Sequence, residues 1–283
     1  MVRTTSVLLA ILLPLAVVAA DDTDKIKTFG AYVDTDLCAR LMLGPIVDSR
    51  VECSQKTFKE GSSPVLVRVD DNFVFEVNKE KQLKEYIGGF VEATGEPKEK
   101  DGRMKLESVK SVEKAQLQTN AAARELFDVR LHKGTGDPTY EKVRHELAMM
   151  PYISEFDFIS FSLAGSHVIL TGWTIRQTNR STAQNLVKRV EGVEKITNNI
   201  NILPLGRNDM QIRAGARAAL QRMLSRYFWG SGSAIKIIVK NGDIILLGTV
   251  STKEDSDIAY LQCNHVPMAF KVFNMLRVEP AAK

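Results

Sequence analysis

The residues that could support catalysis or metal binding are scattered along this chain. The four histidines are His132, His145, His167 and His265, and no two of them have the His-x-x-x-His or His-Glu-x-x-His spacing of a zinc site. No serine lies in the strand-turn-helix setting of a nucleophile elbow, and no phosphate-loop motif occurs. We therefore expect no catalytic residues, no metal and no cofactor, and a binding protein rather than an enzyme.

One acidic cluster is the only candidate for a cation site. Asp34, Asp36 and Asp48 lie near Cys38 in sequence, and calcium prefers carboxylate oxygens. The alternative, which we favour, is that these side chains belong to a solvated loop.

The three cysteines bear on the redox compartment. Cys38 and Cys53 are close in sequence, and a disulfide between them suits an exported domain, with two free thiols as the alternative. Cys263 has no third cysteine to pair with and falls late in a predicted helix. We expect it to be a small buried apolar residue.

A group of arginines and aromatic residues is the first candidate binding site. Arg213 and Arg217 flank an apolar helical stripe, and the same helix ends in Tyr227, Phe228 and Trp229. Residues 209–283 contain ten basic and six acidic residues, whereas residues 137–206 contain seven of each. Aromatic rings beside guanidinium groups suit an anionic membrane surface. The alternative is that the rings pack beneath the following loop and the arginines are only solvated.

These residues belong to an internal repeat. The pattern of Ile159–Pro204 returns without a gap, 76 residues later, over Ile235–Pro280. A repeat of this size predicts two copies of one small domain, each with the order helix, strand, strand, helix, strand. The predicted elements are Thr139–Met149, Phe158–Leu163, Val168–Gly172, Gln177–Val190 and Lys195–Leu203 in the first copy, and Met210–Tyr227, Ala234–Val239, Asp243–Val250, Glu254–Asn264 and Phe270–Glu279 in the second.

The outer sheet faces of the two copies are predicted to differ. Alternation along the last strand of the first copy places one face toward the helices and the other toward water. The same register makes the outer face of the second copy apolar, which a soluble monomer would not leave bare. We expect cover from the barrel, the other copy or the linker, and the alternative is a partner or homo-oligomer interface. The residues concerned are Ile238, Ile245, Leu247, Phe273 and Met275.

Two short motifs of the first copy resemble the BON domain. They are Val168–Gly172, which reads V-x-L-x-G, and Gly192–Ile200, which reads G-V-x-x-I-x-N-x-I; the second copy has Met268-Ala269 in place of Gly192-Val193. The resemblance implies αββαβ domains with two helices on one face of a three-stranded mixed sheet. It also implies an exported, non-enzymatic bacterial protein that attaches to phospholipid membranes or envelope partners.

The segment before the repeats is predicted to be an OB-type small barrel with a short helix, Lys79–Tyr86, between its third and fourth strands. A polar loop at 95–102 precedes the last strand. Residues Gly30–Cys38 also resemble the opening of a small exported bacterial domain. The five predicted strands are Thr28–Val33, Val65–Val69, Phe73–Val77, Phe90–Thr94 and Met104–Val109.

Compartment and charge narrow the possible partners. Residues 1–20 have the basic start, apolar stretch and small-residue end of a secretory signal peptide, with an uncleaved anchor helix as the alternative. Residues 21–112 contain fifteen basic and eighteen acidic residues, the wrong balance for a phosphate-binding groove. We therefore expect no nucleic-acid partner.

The sequence as a whole predicts an α+β protein. Its parts are a signal peptide (1–20), an OB-like β-barrel (21–112), a partly helical linker (113–136) and two BON-like domains (137–206 and 207–283). We expect it to be exported, periplasmic or secreted, and peripheral to a membrane, and to attach to an anionic phospholipid surface or an envelope protein. The alternatives are a protein-interaction module without lipid contact and an enzyme located in the barrel.

Overall fold

The structure is a computed structural model that describes residues 25–41, 48–113, 137–228 and 233–279. The predicted signal peptide, nearly all of the predicted linker and Trp229 lie outside the described residues.

Alternating apolar residues close the first domain into a five-stranded barrel. Ala31, Val33, Leu66 and Phe75 point inward from neighbouring strands and are fully buried. The strand order is β1-β2-β3-β5-β4, with β1 antiparallel to β2 and β4, and β3 parallel to β5. This confirms the predicted barrel, and the helix between the third and fourth strands is a 3-10 helix, Glu80–Tyr86. The strands are β1 (Lys27–Thr35), β2 (Pro64–Arg68), β3 (Val74–Val77), β4 (Phe90–Lys98) and β5 (Arg103–Ser111).

Two features of the barrel differ from the sequence prediction. Helices α1 (Asp36–Leu41) and α2 (Asp48–Lys59), which were not predicted, lie between β1 and β2; the disulfide that was proposed from the sequence joins Cys38 of α1 to Cys53 of α2. Strand β4 also continues to Lys98 through much of the predicted polar loop, because residues 95–98 pair with β5 beyond a bulge. Polar composition indicated a loop there, but a strand with one face toward solvent accepts polar residues on that face.

The remaining residues form two αββαβ units, as the repeat predicts. The first comprises α3 (Pro138–Ala148), β6 (Phe158–Ala164), β7 (His167–Thr174), α4 (Gln177–Val187) and β8 (Lys195–Ile202). The second comprises α5 (Arg207–Leu224), β9 (Ile235–Lys240), β10 (Asp243–Val250), α6 (Lys253–Asn264), β11 (Val272–Asn274) and β12 (Arg277–Val278). In each sheet the first two strands are antiparallel and the last runs parallel to the central strand. The last strand of the second unit, predicted as continuous, is interrupted at residues 275–276.

The two copies share backbone geometry at equivalent positions. A Cβ at Gly172 would lie 1.9 Å from the carbonyl oxygen of Phe158, and one at Gly248 would lie 1.9 Å from that of Ala234. Both glycines have positive φ, so any side chain there would collide with the neighbouring strand. The equivalence of these contacts confirms the duplication.

Two buried-face asparagines also behave alike, as expected of residues that satisfy local backbone groups. The Nδ2 of Asn198 donates to the carbonyl of Arg180 at 3.1 Å, and the Nδ2 of Asn274 donates to the carbonyl of Ser256 at 3.1 Å. Each amide therefore ties the last strand of its copy to the second helix.

Each copy buries its own core between helices and sheet. Val143, Leu170 and Val187 are central in the first copy, and Leu220 and Leu246 in the second. Within the described ranges, no helix combines the length and the apolar composition that a bilayer crossing requires.

Candidate functional site

The apolar outer face of the second sheet is buried inside the chain. We call the apolar cluster formed by this face and the side chains that cover it the junction. Its buried members are Leu37 of the barrel, Trp173 and Leu203 of the first copy, and Ile238, Ile245, Leu247 and Phe273 of the second. Met275 packs at the margin of the same cluster.

The junction corresponds to the intramolecular cover that we favoured from the sequence. Two of the three expected sources of cover, the barrel and the other copy, contribute to it, and nearly all of the third, the linker, lies outside the described residues. The alternative, a homo-oligomer or partner interface on this face, has no exposed surface to use in this arrangement, because Ile238 and Leu247 are at most 3% exposed.

The outer face of the first sheet is buried as well, and the expectation that it meets water is wrong. The Nδ2 of Asn199 donates to the carbonyl of Asn72 at 2.8 Å, and its Oδ1 accepts from the backbone N–H of Val74 at 3.0 Å. The Thr171 hydroxyl donates to the carbonyl of Arg40 at 3.2 Å. The barrel therefore covers this polar face through hydrogen bonds, which a polar sequence pattern does not distinguish from contact with water.

A charged network lies where the barrel and the two copies meet. Lys240 of β9 contacts Asp36 at 2.9 Å and Glu76 at 2.7 Å, and Arg40 donates to Asp36 at 2.6 Å. Burial alone would raise the pKa of Asp36, but the charges of Arg40 and Lys240 hold it well below its ordinary value. Asn201 of β8 donates to Glu76 at 2.6 Å, so all three domains contribute to the network.

Two of the three acidic residues near Cys38, Asp34 and Asp36, are engaged in ion pairs, and the side chain of Asp48 lies outside the described residues. Asp34 is fully buried and contacts Arg50 at 2.8 Å. For Asp34 and Asp36, both alternatives drawn from the sequence, a calcium site and a solvated loop, are therefore wrong. Among the residues that the structure describes, no group of three or more histidine, cysteine, aspartate or glutamate side chains is placed to hold a metal ion.

The predicted membrane-binding residues are not grouped at the surface. Arg213 is 4% exposed and donates to the carbonyls of Pro204 and Val239, and burial lowers its pKa. Tyr227 is buried, with its hydroxyl donating to Asp255 at 2.6 Å. These contacts remove Arg213 and Tyr227 from any surface that a membrane could touch.

The other members of that set keep some exposure. Arg217 is half-exposed and pairs with Glu155 at 2.8 Å, whereas Phe228 packs partly against the core of the second copy. Trp229 lies outside the described residues. The buried side of α5 follows the predicted apolar stripe except at Met223, which is 52% exposed, and the short 3-10 helix that follows α5 places Tyr227 in the core of the domain.

Two further side chains have structural roles. His167 begins β7, contacts the hydroxyl of Thr197 at 2.9 Å and is 8% exposed. Burial and the charge of Lys195 lower the pKa of His167 to about 4. Cys263 is fully buried, as expected, and burial raises its pKa to about 12.

An exposed apolar surface on the second copy was not predicted. We define it as Tyr260 and Leu261 on α6 with Met268 and Phe270 in the following loop, all of them exposed. The equivalent residues of the first copy, 76 positions earlier, are Gln184, Asn185, Gly192 and Glu194. The second copy thus presents large apolar side chains where the first has polar ones or glycine.

The loop of this apolar surface is firmly anchored. Val266 is buried and Ala269 packs against the core, while Met268 and Phe270 project outward. The Phe270 N–H donates to the carbonyl of Gly242 at 2.9 Å, and its ring lies against Gly242, because a Cβ there would approach the ring within 2.5 Å. Phe270 is nevertheless 77% exposed.

Met268 adopts a backbone conformation that favours glycine. Its φ is 67°, and the equivalent Gly192 of the first copy has φ 91°. An unbranched residue in this region costs on the order of 1 kcal/mol. The replacement of Gly192-Val193 by Met268-Ala269 was visible in the sequence as divergence, and comparing the exposed positions of the two copies would have identified the surface.

Comparison with known proteins gives one family match. The family model described as "BON domain" matches residues 138–204 and 208–280 of this chain. No curated protein matches the chain.

Two solved structures with partial similarity come from CdsD of Chlamydia trachomatis, described as a structural protein of the Type III secretion system. One is 10% identical, covering 50% of this chain and 92% of that chain with a TM-score of 0.21. The other, its C-terminal domain, is 9% identical, covering 52% of this chain and 100% of that chain with a TM-score of 0.21. At these values neither similarity supports an inference about function.

Proposed function

Because this chain contains two tandem BON domains behind a five-stranded barrel, we propose that it is a non-catalytic cell-envelope protein that attaches to phospholipid surfaces. BON domains are commonly associated with binding at membranes and the cell envelope. Attachment occurs through the second BON domain. The observation that carries this proposal is the exposure of Met268 and Phe270 on an anchored loop.

The chemistry of the apolar surface suits a bilayer interface. Burying a phenylalanine or methionine side chain contributes about 1.5–3 kcal/mol. The second domain also has the basic excess found in residues 209–283, and each basic residue near an anionic leaflet contributes about 1 kcal/mol. Together these terms support reversible, salt-sensitive attachment.

The disulfide between Cys38 and Cys53 fits an exported protein. A periplasmic or secreted location, peripheral to a membrane, belongs to the same proposal. The buried junction and charged network support a scaffold that holds the second domain at a fixed position on the barrel.

Vesicle flotation tests the proposal. The protein is mixed with vesicles of phosphatidylcholine containing phosphatidylglycerol, and the double variant Met268→Ser, Phe270→Ser is compared with wild type. We expect binding to weaken by a factor on the order of ten or more, because two inserted apolar side chains are lost. High salt should also weaken the binding of the wild-type protein, because salt screens its attraction to the anionic lipid.

The matched control is the double variant Met149→Ser, Tyr152→Ser, which removes residues of the first domain that are 70% and 75% exposed. Its binding should equal that of wild type. Equal losses in both double variants would contradict attachment through the second domain. Absence of wild-type binding to anionic vesicles would reject lipid attachment and favour a module that interacts only with proteins.

A further inference from the structure

A polar cleft lies between the barrel and the first BON domain, beside the hydrogen bonds that join them. It has a volume of about 400 Å³, within the range of about 300–1,000 Å³ typical of small-molecule sites. Its walls come from β3, β5 and the turn before β5 on the barrel, and from α4 and β8 on the BON domain. The cleft therefore exists only where these two domains meet.

Cations predominate in the cleft. Its charged lining residues are Lys100, Arg103, Arg180, Arg40, Glu76 and Asp101. Glu76 already contacts Lys240 and Asn201, and Arg40 contacts Asp36. No carboxylate of the described residues forms an ion pair within 4.0 Å of Lys100, Arg103 or Arg180. Glu76 belongs to the charged network and lies 3.7 Å from Arg40, so Asp101 remains against three cations and the cleft has an excess of positive charge.

Arg180 is held across the cleft. One terminal nitrogen, Nη1, donates to the carbonyl of Lys100 at 3.1 Å, and Nη2 donates to that of Asn198 at 3.2 Å. These two bonds use two of the five N–H groups of the guanidinium and fix its position. Burial and the charge of Arg40 lower the pKa of Arg180, and the charge of Asp101 offsets this shift only in part.

The amino-terminal end of α4 adds to the positive potential. Gln177, its first residue, lines the cleft. The first turn contains no acidic residue, and no side chain caps it. A helix terminus of this kind favours a nearby anion.

The second BON domain has no such cation. The residue equivalent to Arg180 is Ser256, which is 4% exposed and accepts a hydrogen bond from Asn274. The arginine is thus present only in the copy that faces the barrel.

We propose that this cleft binds a phosphate group of a small polar molecule, with Arg180 and Arg103 as its main ligands. Arginine suits phosphate because its planar fork donates two parallel hydrogen bonds. The phosphate is that of a soluble phosphate ester or of a lipid headgroup, and this site is separate from the apolar surface of the second domain.

Calorimetric titration of the full-length protein with inorganic phosphate and with glycerol 3-phosphate tests the proposal. Wild type should bind glycerol 3-phosphate. Arg180→Gln and Arg103→Gln should each weaken binding roughly tenfold, equivalent to about 1.4 kcal/mol. Arg103 is exposed, so its replacement leaves folding intact. The matched control is Arg189→Gln, an exposed arginine outside the cleft.

Vesicle flotation of the same variants identifies the source of the phosphate. If Arg180→Gln weakens binding to phosphatidylglycerol vesicles, the ligand is a headgroup; if only the titration changes, it is a soluble ester. The variant Met268→Ser, Phe270→Ser should keep phosphate binding, which separates this site from the proposed membrane contact. Equal weakening in Arg189→Gln, or no phosphate binding by wild type together with unchanged vesicle binding of Arg180→Gln, would overturn the proposal.

Discussion

The outer sheet faces of the two BON domains are buried in different ways. The first contacts the barrel through hydrogen bonds of Thr171 and Asn199, and the second is covered by apolar side chains such as Leu37 and Trp173. Since the copies share the same order of helices and strands, the difference in cover comes from the side chains on the two outer faces. Each face has the chemistry of the element that covers it, so duplication allowed one fold to occupy two positions in the same chain.

The apolar face should be the more sensitive to truncation. Replacing Trp173, which is fully buried in the junction, by alanine should lower the free energy of unfolding by about 3–5 kcal/mol, because a large cavity remains. Urea denaturation measures the effect. The exposed Tyr152→Ala should change stability by no more than about 0.5 kcal/mol. A Trp173→Ala protein as stable as this control would show that the junction does not hold the domains together.

The disulfide should stabilise the burial of both outer sheet faces, because it holds a helix that contacts each of them. Helix α1 supplies Leu37 to the apolar face and Arg40 to the polar one, and Cys38 ties this helix to α2. The double variant Cys38→Ser, Cys53→Ser should lose about 2–4 kcal/mol of stability. Denaturation with and without reductant should show reductant acting on wild type only. A wild type insensitive to reduction would mean that α1 needs no tether.

A substitution on the polar outer face of the first sheet should lower the free energy of unfolding by less. Asn199→Ala leaves the Val74 N–H and the Asn72 carbonyl without their side-chain partner, which should cost about 1–3 kcal/mol. Urea denaturation of Asn199→Ala beside the exposed Asn185→Ala measures this. No difference between the two variants would mean that water replaces the barrel at this face.

A smaller, pH-dependent effect should come from His167, on the polar face. Burial lowers the pKa of His167 from its ordinary 6.5 to about 4, so between these values the unfolded chain binds a proton that the folded protein does not. Stability should therefore fall as pH falls from 6.5 toward 4. Melting temperatures at pH 7 and 5 should differ less for His167→Gln than for wild type. The exposed His265→Gln should retain the wild-type difference, and a retained difference in His167→Gln would assign the effect elsewhere.

Much of the fold could be predicted from the sequence because it depends on local periodicity. The duplication, the order of elements and the barrel followed from alternation and from glycines such as Gly172 and Gly248. Helix α1 was missed because its six residues are too few to show a helical period, although its side chains join both interdomain contacts.

The sites were harder to predict because a polar residue that is buried between domains has the same sequence pattern as a polar residue that faces water. Asn199 and Thr171 looked like water-facing residues, and Arg213 looked like a surface arginine. The apolar residues Ile238 and Phe273 were recognised as needing cover, because apolar side chains on an outer face have few alternatives. Phe270 was missed because the loop was assigned to a continuous last strand.

Site-specific labelling tests attachment through the second BON domain most directly. A polarity-sensitive dye is attached through Phe270→Cys or, in a matched protein, through Glu194→Cys at the equivalent position of the first domain. With phosphatidylglycerol vesicles we predict a blue shift of the emission for the label at position 270 and none at position 194. Bound protein whose label at position 270 shows no shift, or whose two labels shift equally, would contradict the account.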